Sequence, residues 1–139
     1  MHRMERPVWK DWIRPAIRGQ TTKEATAEYI SSKYGYDLER TYEFLNRTYG
    51  WDSSCQGTVP EAIIAFLESE DFEDAIRKAV SMGGDSDTLA CITGGIAEAY
   101  YKTIPENIAT PVWNNLPESL REIVKEVSEK TPYGSVFSI

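Results

Sequence analysis

Residues 72–101 read FEDAIRKAVSMGGDSDTLACITGGIAEAYY, and this stretch decides the fold class. Phe72, Ala75, Ile76, Ala79 and Val80 recur at intervals of three, one, three and one. That spacing puts them on one stripe of an α-helix. Asp71 stands where an N-cap belongs, and Gly83-Gly84 ends the segment. From Ser86 the helical period resumes, with Leu89, Ile92, Ile96, Ala99 and Tyr100 in phase. Ala90, Gly94 and Ala97 form a second face of small residues, which lets another helix approach closely.

The same period continues outward. Upstream, Thr58 and Glu61 read as a capping box with Pro60 in the first turn, followed by Ile63, Ile64, Phe66 and Leu67. The stretch GWDSSCQG, residues 50–57, reads as a loop. Residues 23–34 place Ala27, Ile30 and Tyr34 on one face before Gly35 breaks the helix. Asp37 is the expected cap of a helix carrying Leu38, Tyr42, Leu45 and Tyr49. Downstream, Pro105 and Pro111 are expected to bound an irregular stretch that includes Trp113. Residues 118–129 read as a last amphipathic helix with Leu120, Ile123, Val124 and Val127. No segment alternates with the period of a strand. The expectation is an all-α protein, a compact orthogonal helical array, with one domain over residues 1–139 and a loosely ordered N-terminal segment over 1–20.

The bulk numbers narrow the function. A chain of 139 residues can bury roughly 70% of its unfolded surface, enough for a core. With 22 acidic against 15 basic residues, the net charge is −7. Nucleic acid wants clustered Lys and Arg, so it is not an expected partner. No apolar run is long enough to span a membrane. Residues 1–18 are basic but lack the apolar core of a signal peptide, so the cytoplasm is the expected compartment. Cys55 and Cys91 show no zinc spacing and read as free thiols, each more at home in the core than as a nucleophile. The single histidine, His2, lies too near the terminus for a Ser-His-Asp or Cys-His arrangement. Carboxylates, hydroxyls and a hard metal are the chemical tools that remain.

Those tools meet at Gly83-Gly84-Asp85-Ser86-Asp87-Thr88. Two glycines allow a tight turn. Asp85, Asp87 and Thr88 offer oxygen donors only, a set suited to Mg²⁺, Mn²⁺ or Ca²⁺ rather than zinc or copper. A second reading stays open, in which Asp85 or Ser86 caps a helix and Gly83-Gly84 ends the one before. Other acidic motifs fit less well. An EF-hand would need ligands where Leu89 and Cys91 stand. In the aspartate-phosphatase pattern the threonine falls one residue later, behind a strand. A glycosyltransferase D-x-D expects an α/β context.

The run GGDSDTLACITGGIAEAYY, residues 83–101, resembles the C-terminal signature of the ADP-ribosylglycohydrolase family, which includes dinitrogenase reductase-activating glycohydrolase. CQGTVPEAIIAFLES, residues 55–69, resembles the family segment with Ser/Thr-Val-Pro and an alanine two residues on, and the spacing between the two runs also matches. The resemblance implies an all-α fold and a pair of Mg²⁺ ions, with Mn²⁺ as a substitute. It places Asp85, Asp87 and Thr88 as metal ligands, with Asp85 and Asp87 serving catalysis. It sets Ser53, Cys55, Gln56 and Gly57 beside the substrate. The implied reaction is hydrolysis of the N- or O-glycosidic bond of ADP-ribosylated proteins or small molecules. The family's other metal motif, a threonine before two adjacent aspartates, is missing, since no two aspartates are adjacent in this chain. The resemblance is therefore to a C-terminal half. It implies half of a split or truncated enzyme that self-associates or takes a partner chain carrying the N-terminal half. The alternative is a non-catalytic, crystallin-like or interaction protein that keeps the fold.

Overall fold

The computed structural model describes residues 22–130. The expected loose segment over residues 1–20 lies outside them. Every regular element among the described residues is an α-helix. The chain divides between Tyr101 and Lys102 into two units.

The first unit holds five helices: α1 (Lys23–Tyr34), α2 (Tyr42–Thr48), α3 (Cys55–Leu67), α4 (Phe72–Ser81) and α5 (Ser86–Tyr101). Helix α3 is central and touches each of the other four. Its sequence explains this. Ala62, Ile63, Ile64, Ala65 and Phe66 are all buried, so the helix is apolar on every side and cannot lie at a surface. Each large side chain among them contributes about 1.5–3 kcal/mol by leaving water. Helix α5 packs on α3 and α4. Thr93, fully buried, donates its hydroxyl to the Ala62 carbonyl at 2.9 Å, which satisfies a polar group inside the core. The small-residue face works within the chain: a Cβ at Gly94 would sit 3.0 Å from Ile76 Cδ1 of α4. Lys23 of α1 donates to Tyr101 Oη at 2.8 Å and also to the Ser69 carbonyl. Its ammonium lies 4.9 Å from the Phe66 ring centroid, which ties α1 to α3 and α5.

The helix ends follow their local chemistry, with two corrections to the expected caps. Asp71 caps α4 by accepting from Asp74 N–H at 2.8 Å, as its position suggests. Gly35 ends α1 at φ 70°. Helix α3, however, starts at Cys55, capped by Ser54, which accepts from Gly57 N–H at 3.1 Å. Thr58 is thus inside the helix, and its hydroxyl donates to the Asp52 carbonyl at 3.1 Å instead of capping. Helix α2 is capped by Thr41 accepting from Phe44 N–H at 3.2 Å. Asp37 instead makes a local turn, accepting from Glu39 N–H at 3.2 Å.

The second unit holds α6 (Glu106–Asn115) and α7 (Glu118–Lys130). The stretch between the two prolines is therefore helical, and Pro111 is the sixth residue of α6. A proline there removes one hydrogen bond, the one that would reach the Asn107 carbonyl, without preventing the helix. Helix α7 carries its apolar stripe as expected, and no residue of it is buried.

Candidate functional site

The turn between α4 and α5 holds the acidic cluster. Gly83 and Gly84 have φ of 80° and 61°, the left-handed region where a side chain is strained. They reverse the chain so that Asp85 precedes the first turn of α5. The Asp85 carbonyl accepts the first helical bond of α5, from Leu89 N–H at 3.0 Å. Asp87 and Thr88 are exposed, and Asp85 is half-buried. The neighbouring Asp85 side chain and the backbone N–H groups of Thr88 and Asp87 hold the Asp87 carboxyl below its ordinary range. The Thr88 N–H reaches Asp87 Oδ1 at 3.0 Å. The Asp87 carboxyl thus lies in the first turn of α5 and remains at the surface.

The loop before α3 lies against this turn. A Cβ at Gly84 would come within 2.7 Å of Tyr49 Cε1 and 2.9 Å of the Gly50 carbonyl oxygen. Only a glycine permits that approach. Tyr49 packs on the core cluster of Leu45, Ile64, Ala65, Met82 and Leu89. Its hydroxyl is buried without a hydrogen-bond partner, and burial, with the charges of Glu61, Asp52 and Asp85, pushes its pKa up. Asp52 folds back over the start of α3. Its Oδ1 accepts from Ser54 N–H at 2.7 Å, and a Cβ on Gly57 would collide with its carboxylate. Hydrogen bonds from Ser54 hold Asp52 below its ordinary range. A cleft of about 270 Å³ opens here, lined by Arg40, Tyr49, Trp51, Asp52, Gly57 and Glu61 among others. Its inner wall is an ion pair: Arg40 Nη1 meets Glu61 Oε1 at 2.6 Å, with Glu61 only 4% exposed.

The residues singled out from sequence are thus partly brought together. Asp85 and Asp87 meet, with Thr88 next in the chain. Of the loop, Tyr49 and Gly50 touch the turn, while Ser53, Cys55 and Gln56 are exposed and Gly57 sits under Asp52. Cys55 and Cys91 are both exposed free thiols, which corrects their expected place in the core. Cys55 opens a helix at its solvent end. Cys91 lies two residues, or about 200° of helical rotation, from the inward-facing Leu89. Sequence reasoning missed Arg40 altogether and took Glu61 for a capping residue. A lone arginine in a loop carries no local signal of a partner 21 positions away.

The donor set can be tested against a metal. Two carboxylates and a hydroxyl are the right chemistry for a hard cation, but they fill only part of a shell of about six. Among the described residues no group of three or more His, Cys, Asp or Glu is placed to hold a metal ion.

The family model for ADP-ribosylglycohydrolase matches residues 4–134 of the chain. The chain belongs to the ADP-ribosylglycohydrolase family. Two relatives agree in extent. A protein of Acanthamoeba polyphaga mimivirus, named "Putative ADP-ribosyl glycohydrolase", is 43% identical over 82 residues, covering 55% of this chain and 24% of its own length. An uncharacterized protein of Archaeoglobus fulgidus is 35% identical over 86 residues, covering 60% of this chain and 28% of its own. The matches thus span about a quarter of either relative. No solved structure matches the chain at a significant level. The all-α architecture is that of an ADP-ribosylglycohydrolase, and the GGDSDT turn joins α4 and α5, which pack against each other. No helix among the described residues is long and apolar enough to cross a membrane.

Proposed function

We propose that the chain supplies the Asp85, Asp87 and Thr88 part of a Mg²⁺-dependent site that hydrolyses the glycosidic bond between ADP-ribose and a protein side chain or small molecule. The observation that carries this reading is the seating of the Gly83–Gly84 turn, which presents Asp85, Asp87 and Thr88 together at the start of α5, against Tyr49 and Gly50 of the loop before α3. A divalent cation there would polarise oxygen and orient ribose hydroxyls. The chain's own part is to present Asp85, Asp87 and Thr88 at the start of α5 and to wall one side of the site with the loop before α3.

Family membership supports the reaction class. The incomplete donor set supports a further element: the remaining ligands come from another polypeptide or a second copy of this chain, and the isolated chain is a poor hydrolase. Catalysis of this kind depends on a preorganised field, which half a ligand set does not provide. The test is release of ADP-ribose from ADP-ribosylated substrates with Mg²⁺, combined with light scattering at micromolar concentration. Weak or absent turnover, together with self-association or rescue by a polypeptide carrying the threonine–aspartate–aspartate motif, is the expected result. Efficient turnover by a monomer would refute the shared-site element. No turnover in any combination, with no metal response, would favour the non-catalytic alternative.

A further inference from the structure

We propose that Tyr49 is a positioning residue for the Asp85–Thr88 cluster, its ring forming the wall that sets the Gly83–Gly84 turn and so the aim of the two carboxyls. The inference rests on the reading of that cluster as a cation site. It begins from the softness of the turn. Two consecutive glycines in the left-handed region have no side chains to hold them there, and glycine is the residue with most conformational freedom to lose. Nothing lies within 4 Å of the position a Gly83 Cβ would take, so that residue is not held by packing at that point. Gly84 is different. The Tyr49 ring and the Gly50 carbonyl occupy the place of its missing Cβ, at 2.7 and 2.9 Å.

The wall is itself rigid. Tyr49 follows directly on α2, with its N–H bonded to the Leu45 carbonyl at 2.7 Å. It packs against the buried cluster that includes Leu45, Met82 and Leu89. Met82 and Leu89 flank the turn on either side in sequence. The turn is therefore clamped at both ends by the core and braced in its middle by Tyr49. Beyond Asp85 the backbone is helical, so Gly83–Gly84 is the joint at which the direction of Asp85 and Asp87 is decided. The contacting atom is ring carbon Cε1, not the hydroxyl, so phenylalanine should serve in place of tyrosine and leucine should not.

Two readouts test this on the whole chain. In metal-free protein, amide hydrogen exchange at Leu89, whose N–H bonds to the Asp85 carbonyl, should quicken about tenfold in Tyr49→Leu, as expected when a brace on local opening is lost. It should stay unchanged in Tyr49→Phe, with Ile30 of α1, buried but outside the cluster that Tyr49 packs against, as the unmoved control. In a Mn²⁺ titration, Tyr49→Leu should bind about tenfold more weakly, a loss of about 1.4 kcal/mol, and Tyr49→Phe should match the wild type. Should Tyr49→Leu fail to fold, Tyr49→Met fills the core with an unbranched chain and carries the same expectations. Unchanged exchange at Leu89 in the Leu or Met variant overturns the proposal whatever the metal does. Loss of Mn²⁺ binding in Tyr49→Phe also overturns it, since the hydroxyl would then be acting. Quickened exchange in a chain whose wild type binds no Mn²⁺ supports the bracing role and removes the cation reading instead.

Discussion

Arg40, in the loop before α2, meets Glu61 of the central helix at 2.6 Å, and that pair closes the inner wall of the cleft beside the acidic turn. Glu61 is almost wholly buried, whereas Arg40 keeps 29% of its side chain exposed. Arg40→Ala would leave a buried carboxylate with no cation. The expected cost is about 3 kcal/mol in denaturant unfolding. The double variant Arg40→Met with Glu61→Met should recover most of it, because the apolar pair needs no compensation. Equal losses in the single and double variants would mean that the ion pair is not what matters there.

Lys23 offers a second test of packing. Its ammonium lies 4.9, 5.6 and 5.2 Å from the ring centroids of Phe66, Tyr100 and Tyr101, and it donates to Tyr101 Oη. Lys23→Met keeps the aliphatic stem and removes the charge. A loss of about 1–2 kcal/mol is expected, from the cation–π attraction and the hydrogen bonds together. Unfolding in urea measures it, and a neutral result would show the cage to be inert.

Glu98, on α5, is half-buried, and burial raises its carboxyl pKa above the ordinary value of 4.5. For an acid, a raised folded pKa means that the charged form is disfavoured in the native state. The penalty is fully present above the folded pKa and disappears as pH falls below the unfolded one. Glu98→Gln should therefore raise Tm at pH 7, and the gain should shrink towards zero as pH is lowered through 4.5. A gain of the same size at acid pH would assign the effect to something other than charge.

The elements that could be read from sequence are those whose signals are local. Asp71 followed by Phe72, Ala75 and Ala79 announces α4, and the double glycine announces its end. The boundary of α3 went astray because two caps compete within five residues. Thr58 and Glu61 have capping-box spacing, yet Ser54 does the capping, while Asp52 covers Gly57 and Glu61 is drawn inward by Arg40. Pro111 misled in a similar way, since a proline costs a helix one bond but need not end it. The cluster at Asp85–Thr88 was visible because its oxygen donors are neighbours in the chain. Tyr49 falls in phase with a helical apolar stripe, so its spacing suggests only packing. Its contact with Gly84, across 35 positions, belongs to the tertiary fold.

The central claim is that Asp85, Asp87 and Thr88 bind one divalent cation. A ligand that binds only the native state raises its stability by mass action. The deciding measurement is the thermal midpoint of the wild type and of Asp87→Asn across Mg²⁺ and Mn²⁺ titrations carried into the millimolar range. The account expects the midpoint of the wild type to rise with metal and that of Asp87→Asn to stay nearly flat. An identical metal response in the two proteins, or none in the wild type at any concentration, would contradict it.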